Sequence, residues 1–298
     1  MLIYDAMPEL SSSAVALGFF DGLHPGHEAV IRGAEGQCTV VLSIGDHQRK
    51  ASRLLTDGDR DVLMERMGVD MLVVPEFASI QNLTGREFFR RELVEKLHAR
   101  RVVCGYNFRF GHKASCGAED LALLCAEHDV ECIVIPQVRV NGEEVSSSHL
   151  RSILDEGDVA HYAGLMGRRY SYSAEVMTGQ RLGRKLGFPT INQALPAYLR
   201  LPRYGVYASV VRTPDGLVRP AVTNIGVRPT VGSPMPLSET WIMNYSADIY
   251  GQQVRVELVD FIRPEQRFDS LEALKQAIEQ NAEQAERITW GITQTDLP

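Results

Sequence analysis

The chain has 298 residues, of which 44% are hydrophobic and 23% are charged, a composition typical of an ordinary globular protein with room for two domains. Its formal net charge of −7 speaks against a non-specific nucleic-acid binder, which normally carries a basic surplus. The sequence has no C-x-x-C spacing, no secretory leader and no long apolar run, so we predict no zinc site, no disulfide framework and no membrane span, and we expect a cytoplasmic protein.

Short apolar runs alternate with helical patterns from the start of the chain to about residue 155. A helix is predicted after Thr84, because Thr84 and Glu87 have the spacing of a capping box. The alternation predicts a parallel sheet with right-handed crossovers, in which ligands bind beyond the carboxyl ends of the strands. The predicted strands are Ala14–Leu17, Thr39–Ser43, Met71–Val74, Arg101–Cys104 and Glu131–Ile135.

Two histidines lie three residues apart in the segment Gly18–His27, called the histidine loop below, directly after the first predicted strand. We expect His27 to open the following helix, which places both imidazoles where free backbone N–H groups and the helix dipole favour an anion. Gly26 has no Cβ, so a phosphate or a flat base is expected to lie against the backbone there. The pattern H-x-G-H also occurs in loops without function, but the strand and the flanking F-D-G favour a phosphate-handling loop.

Two later segments of the same half are candidate phosphate clamps. Asn107 and Arg109 follow a predicted strand, and Ser147 and Ser148 precede Arg151 at a predicted helix start. Hydroxyls at a helix N-terminus bind phosphate readily, and arginine adds a planar charged fork. Taken alone, the serines suit simple N-capping and Asn107 suits a turn at least as well.

The sequence changes character after a predicted helix at Val159–Met166. Short runs with period two, such as Val206–Val211 and Val254–Val259, are separated by glycine and proline as far as Ile262. They predict a small antiparallel barrel or sandwich. One amphipathic helix is predicted to end the chain, beginning at Asp269 or Ser270.

Two polar segments of the second half are candidate binding sites. Thr190 and Asn192 are two residues apart, so on an extended chain both oxygens point to one side, and hard oxygen ligands suit Mg²⁺. Upstream, glycines and cations between Gly179 and Lys185 are typical of a polyphosphate-binding lid. The alternative for this stretch is a glycine-rich hairpin with solvated charges.

Glu239 alternates with apolar neighbours in a strand-like segment. Such a carboxylate is either an edge-strand surface charge or a general base. Asn224 lies in a polar segment that could line the same site.

Taken together, these segments resemble the prokaryotic bifunctional riboflavin kinase/FMN adenylyltransferase family, also called FAD synthetase, over nearly the whole chain. The matching motifs, in family order, are G-F-F-D-G-L-H-P-G-H, C-G-Y-N-F-R-F-G, S-S-S-H-L-R, G-F-P-T-I-N, T-N-I-G-V-R-P-T, S-E-T-W and D-I-Y-G, with family-like G-V-Y-A and F-I-R-P-E-Q-R-F besides. The resemblance implies a Rossmann-like α/β nucleotidyltransferase domain over residues 1–157. It implies an antiparallel β-barrel kinase domain with a C-terminal helix over residues 158–298.

The resemblance implies two reactions. The C-terminal domain would transfer the γ-phosphoryl group of ATP to riboflavin, giving FMN and ADP. The N-terminal domain would join FMN to the adenylyl group of ATP, giving FAD and pyrophosphate. The implied partners are therefore riboflavin, FMN, FAD and ATP with Mg²⁺, and neither nucleic acid nor a membrane is expected.

Residue roles follow from the matched positions. His24 and His27 would donate hydrogen bonds to the ATP phosphates, Glu239 would be the base of the kinase, and Thr190 and Asn192 would hold the metal. The ATP-binding residues implied for the adenylyltransferase are Gly18, Phe20, Asp21, Gly22, Gly26, His47, Asn107, Arg109, Ser147, Ser148 and Arg151. The ATP- or flavin-binding residues implied for the kinase are Gly179, Arg181, Gly183, Lys185, Gly187, Pro189 and Asn224.

The chain departs from the family pattern at a few positions. Around His47 it lacks the usual phenylalanine and two prolines, Asn107 and Asn244 stand where aspartate is common, and Ser148 replaces a usual threonine. One alternative is therefore a riboflavin kinase with a degenerate adenylyltransferase half. Another is a flavin-binding or flavin-sensing module without turnover, against which Glu239 speaks, since binding alone requires no base.

Overall fold

The computed structural model describes residues 1–36, 38–45, 52–179, 183, 186–228 and 235–292. The chain forms two compact units, Met1–Lys50 with Asp57–Ser147, and Ala51–Thr56 with Ser148–Pro298. Along the chain, the two units meet between Ser147 and Ser148, earlier than the domain boundary predicted after residue 157, which stays a prediction. Among the described helices, none combines the length and the apolar character that a membrane crossing requires.

The first unit is built on a six-stranded parallel sheet with helices between the strands. The strands of the sheet are β1 (Leu2–Tyr4), β2 (Ser13–Gly18), β3 (Thr39–Ser43), β4 (Met71–Val73), β5 (Ala99–Gly105) and β8 (Glu131–Ile135). Two separate pairs of short strands are β6 (Arg109–Phe110) with β7 (Cys116–Gly117), and β9 (Arg139–Val140) with β10 (Glu143–Glu144). Its helices are α1 (Pro25–Gly33), α2 (Asp57–Arg66), α3 (Phe77–Ile80), α4 (Gly85–Phe88), which continues as a π-helix over Phe89–Lys96, and α5 (Ala118–Glu127).

The order of the strands in this sheet is β1-β4-β3-β2-β5-β8, and all five predicted strands are confirmed. From β2 the chain runs to β3 on one side, and it later returns to β5 on the other side of β2. The carboxyl end of β2 is therefore the switch point of the sheet, where open α/β sheets bind their ligands. The histidine loop begins at this point.

The capping box predicted at the start of α4 is confirmed. The Thr84 hydroxyl accepts the backbone N–H of Glu87, and the Glu87 carboxylate accepts the backbone N–H of Thr84. The first strand, β1, was not predicted, because three residues carry too short a pattern to separate a strand from a loop.

The second unit is an antiparallel barrel of six strands flanked by helices. It contains α6 (Ser147–Glu156), which begins at the last residue of the first unit, then α7 (Val159–Met166), β11 (Ser171–Glu175), β12 (Thr190–Ala194), β13 (Gly205–Arg212), β14 (Val218–Arg228), β15 (Met235–Ile242), β16 (Gln253–Pro264) and α8 (Leu271–Thr289). The strand order is β11-β16-β13-β14-β15-β12. The predicted barrel and the predicted final helix are confirmed. Ser270 is the N-cap of that helix.

Polar side chains close the barrel between its first and last strands. The buried Gln193 side chain donates to the carbonyls of Ala174 and Val254 at 2.7 and 2.8 Å, and the backbone N–H of Met177 donates to the Asn192 carbonyl at 2.8 Å. The sheet is thereby joined where it would otherwise present two open edges.

Hydroxyl groups fill part of the barrel interior. Thr223 lies between Ser209 and Thr240, with oxygen separations of 2.7 and 2.9 Å, and the Ser238 hydroxyl lies 2.6 Å from that of Tyr172. Because successive strand residues face opposite sides, interior positions for Ser238 and Thr240 place the residue between them, Glu239, on the outer face.

Candidate active sites

The backbone of the histidine loop is held in an uncommon conformation. Phe20, Gly22 and Leu23 have φ angles of 54°, 88° and 45°, and Phe20 and Leu23 are buried. Left-handed conformations in bulky residues cost energy and persist where surrounding contacts enforce them, commonly at functional sites. The loop is thus a rigid support for the two histidines that follow.

His24 is the N-cap of α1. Its Nδ1 accepts the backbone N–H of His27 at 3.4 Å, and the two imidazole rings are stacked with centroids 3.7 Å apart. With Nδ1 as acceptor, the neutral ring carries its proton on Nε2, which can then donate to an oxyanion.

The predicted start of this helix was wrong. α1 begins at Pro25, so His27 lies within its first turn, because proline is favoured at the first helical position. Gly26 lies directly beside the His24 ring, and its expected contact with a phosphate or a flat base stays a prediction. A Cβ there would lie 3.1 Å from the His24 ring, so the glycine makes room for that ring.

Ser147, the last residue of the first unit, contacts the histidine loop of the same unit. The Ser147 hydroxyl donates to the Asp21 carbonyl at 2.8 Å, and the Asp21 residue is buried. Ser148 is exposed on the same helix and belongs to the second unit. Arg151, also in that unit, donates from Nε to the Ser52 carbonyl at 2.8 Å.

Asn107 and Arg109 follow the carboxyl end of β5, the neighbour of β2. Asn107 lies in a turn closed by a hydrogen bond from the Phe108 N–H to the Gly105 carbonyl at 3.0 Å, which agrees with the turn alternative. Arg109 donates from Nε to the Ala114 carbonyl at 3.0 Å. His47, the remaining residue predicted for this site, lies outside the described residues.

A cavity of about 470 Å³ lies on the face of the second sheet that carries Glu239. Asn192 on β12, Glu239 on β15 and Asn224 on β14 are direct cross-strand neighbours, with Glu239 in the middle, and all three line this cavity, called the kinase cavity below. β15 lies between two other strands. Glu239 is therefore not an edge-strand charge, and that alternative is wrong.

Asn192 offers an oxygen atom that no described residue satisfies. The residue is 6% exposed, and its buried Oδ1 makes no hydrogen bond within the described part of the chain. Thr190 lines the same cavity. An unpaired carbonyl oxygen beside a hydroxyl fits Mg²⁺, which takes few protein ligands and retains water or substrate oxygens. Among the described residues, no three histidine, cysteine, aspartate or glutamate side chains are grouped so that they could hold a metal ion.

Two glycines near Thr190 and Asn192 leave no room for a side chain. A Cβ on Gly179 would lie 2.5 Å from the Asn192 amide, and a Cβ on Gly183 would lie 2.4 Å from the Phe188 carbonyl. Gly187 has a φ of 92°, a conformation that suits glycine. Pro189 lies apart from the kinase cavity and lines a second, smaller one of about 50 Å³. Arg181 and Lys185 lie outside the described residues.

Several cavity residues were not predicted. Glu265, just after β16, accepts the Asn224 amide N–H at 3.2 Å, and a Cβ on Gly226 would lie 2.3 Å from this carboxylate. Arg263 donates from Nε to Oδ1 of Asn281 on α8 at 3.2 Å. Burial lowers the pKa of the Arg263 guanidinium from its ordinary value. The family-like F-I-R-P-E-Q-R-F contains Arg263 and Glu265 and was the available signal.

The apolar walls of the kinase cavity suit a flat aromatic ligand. The rings of Phe188 and Trp241 meet edge to face with centroids 4.8 Å apart, and Leu274 and Ile278 of α8 line the same cavity. Apolar walls around a few convergent polar groups are the usual construction of a small-molecule site.

Comparison with known proteins identifies the class to which this chain belongs. A FAD synthetase family model matches residues 6–149, and a riboflavin kinase family model matches residues 166–289, so the chain joins one domain of each class. It is 31% identical to the bifunctional riboflavin kinase/FMN adenylyltransferase of Listeria monocytogenes, over 91% of this chain and 90% of that one. It is also 31% identical to that of Haemophilus influenzae, over 95% and 96%. The chain belongs to the bifunctional riboflavin kinase/FMN adenylyltransferase family.

A solved structure supports the fold. The crystal structure of a protein described as a macrolide-efflux protein from Streptococcus pneumoniae matches with a TM-score of 0.83 at 26% identity, covering 96% of this chain and 98% of that one. The likeness concerns the fold, and no transport property is carried over from that description.

Proposed function

We propose that the barrel unit phosphorylates riboflavin with ATP to give FMN and ADP, and that the first unit adenylylates FMN with ATP to give FAD and pyrophosphate. The observation that carries the kinase assignment is the row Asn192, Glu239, Asn224 across three neighbouring strands, on the wall of an aromatic-lined cavity. The placement of the stacked histidines at the switch point of the parallel sheet supports the second activity.

In the kinase, Glu239 accepts the proton of the terminal ribityl hydroxyl while that oxygen attacks the γ-phosphorus of ATP. Asn224 lies beside Glu239 and holds the adjacent part of the flavin chain, with Glu265 fixing its amide. Phe188 and Trp241 enclose the ring system and exclude water. Phosphoryl transfer depends mainly on such positioning and on charge stabilisation.

Thr190 and Asn192 would hold the Mg²⁺ that accompanies ATP. The ion would neutralise phosphate charge as it shifts toward the leaving group. Replacing Asn192 with leucine, which has similar volume but no ligand oxygen, should raise the Mg²⁺ concentration that gives half-maximal FMN formation and leave that for FAD formation unchanged. An unchanged Mg²⁺ dependence would remove Asn192 from this role.

In the adenylyltransferase, the phosphate of FMN attacks the α-phosphorus of ATP and pyrophosphate leaves. His24 donates from Nε2 to a phosphate oxygen, and His27 lies stacked against it as the second donor. Their hydrogen bonds strengthen as charge develops on the oxygens, and no covalent intermediate is needed.

One incubation separates the alternatives. The purified protein is supplied with riboflavin, ATP and Mg²⁺, and riboflavin, FMN, FAD, ADP and pyrophosphate are followed over time. The proposal expects FMN with equimolar ADP first, and then FAD with equimolar pyrophosphate. FMN as the final product identifies a kinase alone, and bound flavin without either product identifies a sensing module.

A further inference from the structure

The second unit contains another cavity, of about 340 Å³, which shares no lining residue with the kinase cavity. It lies against the segment between β12 and β13, the end of α6 and the start of β15. Asp155, Arg200, Arg203 and Tyr204 supply its polar groups, and we call it the arginine groove. Nothing in the two flavin reactions uses it.

Hydrogen bonds fix the backbone that carries the two arginines. The Arg200 carbonyl accepts the hydroxyl of Tyr170 at 2.6 Å, and the Arg203 carbonyl accepts the hydroxyl of Tyr207. Both tyrosines are buried. The Arg200 N–H also donates to the Arg53 carbonyl at 2.6 Å. The groove is therefore a preformed surface, which reduces the entropy lost when a ligand binds.

The guanidinium groups retain donors for a ligand. Arg200 forms an ion pair with Asp155 through Nη2, while its buried Nε makes no hydrogen bond within the described part of the chain. The exposed Arg203 holds its guanidinium 5.3 Å from the centre of the Phe261 ring, and no hydrogen bond joins that guanidinium to a described residue. Because this Nε is closed off from solvent, the donors that can meet a ligand are the guanidinium of Arg203 and the outer nitrogens of Arg200.

Charge and shape indicate the ligand. Two guanidinium groups against one carboxylate leave a local excess of positive charge in a chain whose net charge is −7. Arginine forks match the oxygens of phosphates and carboxylates. The other walls are mainly apolar, among them Leu199, Leu201 and Pro202.

We propose that the arginine groove binds a small molecule that carries an oxyanion, a phosphate ester or a carboxylate, on an apolar body. The guanidinium groups of Arg203 and Arg200 bind the oxyanion, and the apolar wall holds the body of the molecule. Asp155 competes with the ligand for Arg200. Removing the Asp155 charge should therefore tighten binding, an effect that a purely structural ion pair would not produce.

The test uses the full chain labelled with ¹⁵N and follows the arginine Nε–H resonances, so that binding at the two ATP sites does not interfere. Phenyl phosphate, benzoate and inorganic phosphate are titrated separately. Arg203→Gln should weaken binding at Arg200 by ~10-fold or more, as expected for loss of a charge-assisted hydrogen bond. Asp155→Asn should tighten it several-fold. Arg90→Gln, which removes an exposed arginine from the first unit, is the control and should change nothing.

The titrations distinguish a specific oxyanion site in the arginine groove from non-specific binding. Saturable shifts at Arg200 and Arg203 with opposite responses to Arg203→Gln and Asp155→Asn support the site, and tighter binding of phenyl phosphate or of benzoate tells which oxyanion it takes. Inorganic phosphate binding as tightly as phenyl phosphate would refute the apolar contact. Shifts that do not saturate, or that Arg203→Gln leaves unchanged, would overturn the proposal.

Discussion

His24 is the N-cap of α1 and one of the two histidines proposed to bind the ATP phosphates. Its Nδ1 caps the helix, which leaves Nε2 as the donor of the neutral ring. His27 stacks on it with ring centroids 3.7 Å apart, so two imidazoles share one small volume at the first turn of the helix. Such an arrangement stabilises a transition state whose charge lies on phosphate oxygens.

Replacing both histidines with alanine should abolish FAD formation and let FMN accumulate, because the donors to the ATP phosphates are lost while the kinase cavity is untouched. FMN and FAD are measured by chromatography with riboflavin as substrate. His24→Asn is the matched variant, since asparagine is a good N-cap but brings no imidazole. It should fold normally and still make little FAD. Unchanged FAD output from the double variant would defeat the assignment.

Glu239→Gln should reduce FMN formation by about 10² to 10⁴-fold, the range for loss of a general base, and should leave FAD formation from added FMN unchanged. The amide is isosteric, so the row with Asn192 and Asn224 is preserved. Initial rates of ADP and pyrophosphate release distinguish the two reactions. A variant that retains the full kinase rate would exclude Glu239 as the base.

The C-terminal helix α8 is part of the kinase cavity. Leu274, Ile278 and Asn281 line that cavity, and Val206 and Ala208 of β13 pack in one cluster with Ala285 of the helix. Ser270 caps the helix, and its hydroxyl accepts the backbone N–H of Ala273 at 3.1 Å.

Ser270→Ala should weaken α8 by ~1 kcal/mol, the usual cost of losing an N-cap. Because the first turns of the helix cover the kinase cavity, KM for riboflavin should rise more than kcat falls. Steady-state kinetics at several riboflavin concentrations give both constants. Ser11→Ala, which removes an exposed serine hydroxyl from the first unit, is the control. Equal kinetic constants in the two variants would show that the cap at Ser270 does not affect riboflavin binding.

At the scale of the whole molecule, buried weak acids make stability sensitive to alkaline pH. Burial raises the pKa of the Cys104 thiol to about 12 and raises the pKa of Tyr172 and of Tyr207 above the ordinary value. In the unfolded chain these groups ionise at lower pH than in the folded protein, so the unfolded state loses its protons first as pH rises. Stability present below about pH 9 is therefore lost at higher pH.

The free energy of unfolding, measured with guanidinium chloride, should fall steadily between about pH 9 and pH 11. Tyr172→Phe should flatten this decline, because one of the buried phenols is removed, even if the variant is less stable at neutral pH through loss of the contact with Ser238. Equal slopes for the variant and the parent protein would show that Tyr172 does not contribute.

Local signals were reliable where neighbours in sequence are also neighbours in space. The capping box at Thr84 and the cap at Ser270 need only three or four residues, and the period-two runs assigned β13 and β16 to strands. The helix start was misplaced at His27, because Pro25 is favoured at the first helical position. Glu265 received no role because its partner, Asn224, lies far away in the chain.

The sequence by itself determined a parallel α/β half followed by an antiparallel half, and the family, since these rest on periodicity and local motifs. The same motifs supplied the polar residues that we propose carry the chemistry. Tertiary structure alone decided that Asn192, Glu239 and Asn224 form one row, that α8 and Glu265 complete the kinase cavity, and that Arg200 and Arg203 share a groove. The physical reason is that periodicity fixes which face of a strand a residue occupies, whereas strand order and the packing of distant segments depend on the core as a whole.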